Sequence, residues 1–343
     1  MSSQQEINLP AIIEALPDGL LDVTATDLHT ILPTPTLIHL RGRQQPAVFV
    51  SVLQHGNEPT GLLAIQQLLR DYQDRELPRS LSIFIGNVAA ARYEQRRLDN
   101  QPDYNRIWTP GPTPEHAMMQ RVIEEMCRRG VFASIDVHNN TGANPHYACI
   151  NHLDHRFLQL ATLFSRVVVF FTTPDSVQSN AFGKYCPAVT LECGMPAQPY
   201  GVNHAREFIE ACLHLTALPE HPVASHDIDL FHTVATVKIP DDVSFGFGQG
   251  AAADLRFPDD VDHLNFCELP ARTLLGWANI DSNVTLDVRN EKGKKIDGDY
   301  FSYDDGEIRT RMPVMPSMLT RDAQVIRQDC LCYLMERMVL PQQ

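Results

Sequence analysis

The sequence predicts an α/β fold, a mixed and largely parallel sheet flanked by helices, followed by a small β-rich C-terminal domain. Three observations predict it. Short β-branched apolar runs such as Ala47-Val48-Phe49-Val50-Ser51-Val52-Leu53 read as strands buried on both faces. Segments with helical spacing alternate with these runs, the order that builds a parallel sheet. Beyond the proline-bounded segment Leu218-Pro219-Glu220-His221-Pro222 the pattern changes to short strands and Asp-Gly turns. The expected division is therefore a larger domain over residues 1–219 and a smaller one over 220–343.

Taken in order, residues 10–15 read as a helix and Thr36–Leu40 as an edge strand ahead of the first buried strand. Pro59 then sits where a first-turn proline is tolerated, and Leu62, Leu63, Ile65, Gln66 and Leu69 continue with helical spacing over Thr60–Asp71. Further strands are expected at 81–85, 132–137, 146–150, 167–172 and 188–191, and further helices at Pro114–Arg129, His155–Phe164 and 203–215. In the C-terminal part, residues 284–289 alternate cleanly and Asn290 to Gly293 reads as a turn. Asp297-Gly298 and Asp305-Gly306 are turn signals too. The last apolar stretch, 325–339, fits either a helix or a strand, and a strand with a frayed tail is the preferred reading. Gly246-Phe247-Gly248-Gln249-Gly250 lacks the following helix and downstream acid that a dinucleotide loop requires.

A hydrophobic content of 43% over 343 residues permits a sizeable core, and 20% charged residues argues against disorder. The net charge of −14 disfavours nucleic acid and anionic membrane surfaces as partners. Residues 220–343 are the more acidic part, with 12 Lys and Arg against 21 Asp and Glu. The eight cysteines show no C-x-x-C pair, and no apolar signal segment follows Met1-Ser2-Ser3-Gln4-Gln5, so reduced thiols in the cytoplasm are expected. Val167-Val168-Val169-Phe170-Phe171, the longest apolar run, is far too short to span a bilayer.

The chemistry concentrates at strand ends. His55-Gly56-Asn57-Glu58 follows the first buried strand, and its His and Glu are three residues apart across a strand-to-helix turn, so both can face one point. His138 closes another strand, in Asp136-Val137-His138-Asn139-Asn140, and Glu192 closes a third, in Thr190-Leu191-Glu192-Cys193-Gly194. Ligands of open α/β sheets bind outside the carboxyl ends of the strands, where all three segments would meet. Two imidazoles and a carboxylate suit zinc in a hydrolytic site, which takes about three protein ligands and keeps one position for water; the second carboxylate is then free to move protons. Singly, a H-x-x-E pair, a His after a strand or a Glu at a strand end is usually structural. Asp136, two residues before His138, shares its face of the strand and could orient the imidazole or cap a turn.

Between these segments lies an arginine-dense stretch, Arg92-Tyr93-Glu94-Gln95-Arg96-Arg97-Leu98-Asp99, which ends in Asp103-Tyr104-Asn105-Arg106. A guanidinium is a planar fork matched to carboxylates and also stabilises an oxyanion. For Arg92 and Arg96 a solvated salt-bridged loop is an equally good reading.

Together, His55-Gly56-Asn57-Glu58-Pro59, Arg97 with Asp103-Tyr104-Asn105-Arg106, Asp136-Val137-His138-Asn139-Asn140-Thr141 and Leu191-Glu192 resemble the ordered motifs of the zinc carboxypeptidase clan. The best match within it is the succinylglutamate desuccinylase/aspartoacylase branch. The motifs span residues 47–200. The resemblance implies a carboxypeptidase-like catalytic domain over 1–219 that holds one zinc ion per chain through His55, Glu58 and His138. It implies Glu192 as general base, Arg97 as oxyanion stabiliser, and Asn105 with Arg106 gripping a substrate carboxylate. The adjacent Arg96 competes with Arg97 for its role, and Tyr300 and Tyr303 are candidates for a substrate-binding tyrosine found in some relatives. The expected activity is hydrolysis of an amide bond in a small N-acyl amino acid, with a carboxypeptidase acting on short peptides as the alternative. A non-catalytic ligand-binding protein would have lost a metal ligand or the base, and neither is missing. The sequence contains no G-x-S-x-G elbow, H-E-x-x-H helix or Walker loop, and Cys193 has no positioned His partner to make it a nucleophile.

Overall fold

A computed structural model describes residues 10–248, 250–281 and 283–339. The Met1–Gln5 segment read above, Gln249 of the glycine-rich stretch and residues 340–343 lie outside them. The chain divides into two compact units, Met1–Asn139 with His146–Asp229, and Asn140–Pro145 with Leu230–Gln343.

The first unit runs β1 (Ala11–Ile13), β2 (Thr36–Leu40), β3 (Gly42–Val52), α1 (Thr60–Asp71), β4 (Leu77–Ile85), α2 (Val88–Ala91), α3 (Pro114–Arg129), β5 (Val131–His138), β6 (Tyr147–Ile150), α4 (His155–Phe164), β7 (Val167–Phe170), α5 (Gln178–Phe182), β8 (Ala188–Glu192) and α6 (Pro199–His214). Its strands lie in the order β1-β2-β4-β3-β5-β8-β6-β7. The central β4, β3, β5 and β8 are mutually parallel, whereas β2 and β6 run antiparallel to β4 and β8. Every residue of β4 is buried, as are Ala47 to Val52 of β3, which explains why the sequence there is largely apolar without alternation. Helices flank the sheet: α1 packs on α6, and α5 on β5 and β8.

Two local expectations fail here. Residues 10–15 do not form a helix, because Ala11, Ile12 and Ile13 pair in parallel with Thr36, Leu37 and Ile38. So short a segment makes no stable isolated helix, and a waiting strand edge decides its conformation. In consequence β2 is not an edge strand; it is held between β1 and β4, and Thr36 to His39 are buried.

The second unit contains β9 (Asp229–Lys238, beginning at the last residue of the first unit), β10 (Phe245–Phe247), β11 (Leu255–Phe257), β12 (Leu274–Ala278), β13 (Asp287–Asn290), α7 (Asp297–Tyr300), β14 (Phe301–Ser302), β15 (Glu307–Thr310), β16 (Met315–Ser317), α8 (Ala323–Gln328) and β17 (Cys332–Met338). One sheet has the order β10-β11-β12-β15-β14, and β9 pairs with both β13 and β17. Leu255, Phe257, Leu286, Phe301 and Ile308 lie in its core. The terminal stretch, which fits either a helix or a strand in sequence, is both in turn: the Asp322 side chain accepts from the backbone N–H groups of Gln324 and Val325 and so starts α8, and β17 follows. The glycine-rich stretch leads into the strand β11, not into a helix. All eight cysteines are unpaired. Among the described residues no helix is long and apolar enough to cross a membrane.

Candidate active site

β3 delivers the first two groups. Its chain leaves the sheet through Leu53, a non-glycine residue with φ +54°, and turns at His55 so that Glu58 N donates to His55 O. Gly56 is the fixed point of that turn. Its N–H donates to Arg96 O at 3.1 Å, and a Cβ there would lie 2.2 Å from Ala91 N and 2.4 Å from Ala90 C, so only glycine admits so close a neighbour. The contact clamps the arginine-bearing segment onto the His55–Glu58 turn.

The strand ends meet as a buried cluster. His55, Glu58 and His138 are 2%, 5% and 3% exposed, and one ligand atom from each lies within 4.8 Å of the other two. Glu58 Oε1 faces His55 Nδ1 and Glu58 Oε2 faces His138 Nδ1, both at 2.8 Å. The far nitrogens are held as well: His55 Nε2 lies 2.9 Å from Asp103 Oδ1, and His138 Nε2 lies 2.8 Å from Asp136 Oδ2. A carboxylate behind each imidazole accepts from Nε2, orients the ring and turns Nδ1 inwards to Glu58.

The electrostatics follow from this packing. Burial pushes the Glu58 carboxyl up, but the two imidazoles and their hydrogen bonds outweigh it and hold the group well below the usual carboxylate range. Burial pulls His138 down, yet Asp136 and Glu58 together raise it well above an ordinary imidazole. Burial also raises Asp103, but Arg96 and then His55 overcome it and bring the carboxyl well below its ordinary value. Two inward-facing imidazole nitrogens, which offer lone pairs once a metal displaces their protons, converge with an ionised carboxylate, and a histidine–histidine–carboxylate set is a zinc donor set. The residues therefore fit a zinc ion. Asn57 Oδ1 and Asn105 Oδ1, in the flanking segments, are buried without a protein partner.

Of the two adjacent arginines, Arg96 faces the cluster. It is 7% exposed, its Nη2 lies 2.9 Å from Asp103 Oδ2 and its Nη1 3.8 Å from Glu58 Oε1. Arg97 is half-buried, and its Nη1 donates to Gln101 O. Sequence spacing does not distinguish them; the pairing of the Arg96 guanidinium with Asp103, behind His55, does. Asn105 and Arg106 come after Asp103 and Tyr104, and Asp103 Oδ1 accepts from Asn105 N. Glu192 ends β8 in register with His138 of β5, and paired residues of parallel neighbours project to the same face. Cys193 is fully buried, and burial followed by Glu192 pushes its thiol far above the range of a nucleophile. The two candidate tyrosines serve the second unit: Tyr300 lies in its core, and the Tyr303 hydroxyl accepts from Leu286 N. Asp103 is visible in the sequence only as part of a motif; its place behind His55 needs the fold.

The family model of the succinylglutamate desuccinylase/aspartoacylase catalytic domain matches residues 44–218, more than half of the chain. The chain belongs to this family of amide-hydrolysing deacylases. The fold is that of succinylglutamate desuccinylase from Vibrio cholerae, with TM-score 0.60 at 13% identity over 93% of this chain and 96% of that one. It is likewise that of the Chromobacterium violaceum desuccinylase, with TM-score 0.57 at 16% identity over 88% and 87%. Murine aminoacylase 3 shares it, with TM-score 0.54 at 14% identity over 86% and 97%. No curated protein matches the sequence.

Proposed function

We propose that this protein is a zinc-dependent deacylase that cleaves the amide bond of a small N-acyl amino acid bearing a carboxylate. The observation that carries the proposal is the buried His55–Glu58–His138 cage, with an aspartate behind each imidazole. One zinc ion would be held by His55 Nδ1, Glu58 and His138 Nδ1; when bound, it supplies Lewis acidity for a water and for the scissile carbonyl. Glu192 takes the proton of the attacking water and returns it to the leaving amine. Arg96, the arginine turned to the cage, takes the oxyanion role that the family resemblance implies for Arg97, because a donor must already be in place where charge develops. Asn105 and Arg106 grip the substrate carboxylate, Arg106 by its bidentate fork. The eight free thiols support a cytoplasmic setting.

The test is metal analysis of protein purified without chelator, with a hydrolysis panel of N-succinyl-glutamate, N-acetyl-aspartate, other N-acyl amino acids and short peptides. Stoichiometric zinc and release of an amino acid from an N-acyl substrate are expected. Cleavage of peptides alone would make the chain a carboxypeptidase. Absence of both zinc and turnover, even with zinc added, would make it a ligand-binding protein.

A further inference from the structure

His138 also ends a line of buried hydrogen bonds leading away from the cage, which the proposed chemistry does not use. Asp136 accepts His138 Nε2–H on Oδ2, and its Oδ1 accepts from Ser51 Oγ at 2.6 Å. Ser51 Oγ accepts from Gln54 Nε2 at 3.3 Å, and Gln54 Oε1 accepts from Trp108 Nε1 at 2.7 Å. Asp136 and Ser51 are fully buried, and Gln54 and Trp108 are 1% exposed.

Chemistry fixes the direction of this line. An indole N–H can only donate, so the Gln54 atom facing it is the carbonyl oxygen, and the amide NH₂ faces Ser51. Gln178 agrees with this orientation: its Nε2 donates to Ser134 Oγ and Ile135 O, which leaves its Oε1 to accept from Gln54 Nε2. The Ser51 hydroxyl receives one bond and keeps its own proton for Asp136. Every donor thus points from Trp108 towards the Asp136 carboxylate, and aligned bonds in a low-dielectric interior polarise one another.

The far end of the line is not a neutral place. Trp108 lies two residues beyond Arg106, in the segment proposed to grip the substrate. Its ring meets Phe84 and Phe182 edge-on, each at 5.9 Å between centroids, and its backbone N–H donates to Ser176 O. The segment is therefore anchored in the core through the same side chain that begins the relay.

We propose that Trp108, Gln54, Ser51 and Asp136 form a positioning relay through which the substrate-gripping segment sets the affinity of the cage for its metal. The relay holds the His138 ring at one tilt, with Nε2–H on Asp136 and Nδ1 inwards. It rests on the metal-site reading above.

The test is a double-mutant cycle on zinc affinity, measured by competition with a chromophoric chelator and without substrate. The variants are Ser51→Ala, Trp108→Phe and the two combined, with the melting temperature of each zinc-free protein as a control on the fold. Ser51→Ala removes the partner of the aspartate behind His138 and should weaken zinc by up to ~10-fold, the low end of the ~10–100-fold typical for loss of the group that touches the ligand itself. Trp108→Phe keeps an aromatic ring and removes the N–H, and should weaken zinc severalfold. The double variant should lose less than the product of the two, because both changes break one chain; independent packing defects would multiply. If Ser51→Ala does not fold, Gln54→Leu replaces it in the cycle with the same expectation of non-additivity. Wild-type zinc affinity in Trp108→Phe, or effects that multiply, would overturn the relay. His55→Ala separates the two ideas: full zinc retention there means that the metal site itself is misplaced. Zinc lost in His55→Ala but held normally by the relay variants refutes the relay alone.

Discussion

At the scale of single residues the site is a balance of buried charge. Glu58 stays ionised at 5% exposure because two imidazoles face it and Arg96 stands nearby. Removing any one ligand should break the cage without unfolding the sheet: His55→Ala, Glu58→Ala and His138→Ala are each expected to lose most bound zinc, read by elemental analysis, while circular dichroism stays near wild type. Glu192→Gln should keep zinc and substrate affinity but lose ~10²–10⁴-fold in turnover, the usual range for a general base. The arginines should divide in kinetics. Arg96→Ala is expected to lower kcat by ~10²–10³-fold, as loss of an oxyanion donor does, whereas Arg106→Ala should mainly raise KM. Arg106→Lys should recover little of that loss, since a point charge cannot reproduce the fork. A crippled Arg97→Ala beside a normal Arg96→Ala would return the oxyanion role to Arg97.

At the scale of elements, Gly56 joins two of them. A methyl group there meets the backbone of Ala90 and Ala91, which cannot rotate away as a flexible side chain could. Gly56→Ala should therefore cost ~1–3 kcal/mol, typical of overpacking, and lower kcat by moving Arg96. A thermal melt beside steady-state kinetics checks both; an unchanged enzyme would show that the two segments can part freely. The same scale separates what is legible in the sequence from what is not. Thr60–Asp71, Pro114–Arg129 and His155–Phe164 are legible to the residue because their periodicity and flanking prolines or caps are local. The His55, Glu58 and His138 cluster is legible because these residues follow or close long buried strands. By contrast, β1 depends on a distant partner, as Ala11 pairs with Thr36, and no local pattern carries that information. The strands β10, β11 and β16 have three residues each, too short for alternation to register.

At the scale of the whole molecule, the relatives of known structure keep this fold at 13–16% identity. A core of large apolar side chains tolerates such change when pattern and volume are kept. The first unit should therefore not need metal to fold. Stripping zinc with a chelator is expected to lower the melting temperature by the binding free energy alone, with secondary structure retained; loss of the fold on chelation would contradict this. One more consequence follows from the order in which β4, β3, β5 and β8 lie. Glu58 and His138 touch although 80 positions separate them in the chain, and His138 meets Glu192 only once β5 and β8 have paired. The entropy of closing those loops must be met before any cage exists, so the metal has nothing to bind early in refolding. Zinc should consequently slow unfolding while leaving the refolding rate unchanged, and stopped-flow refolding with and without zinc would reveal it: an ion bound there would act as a latch on a structure already folded.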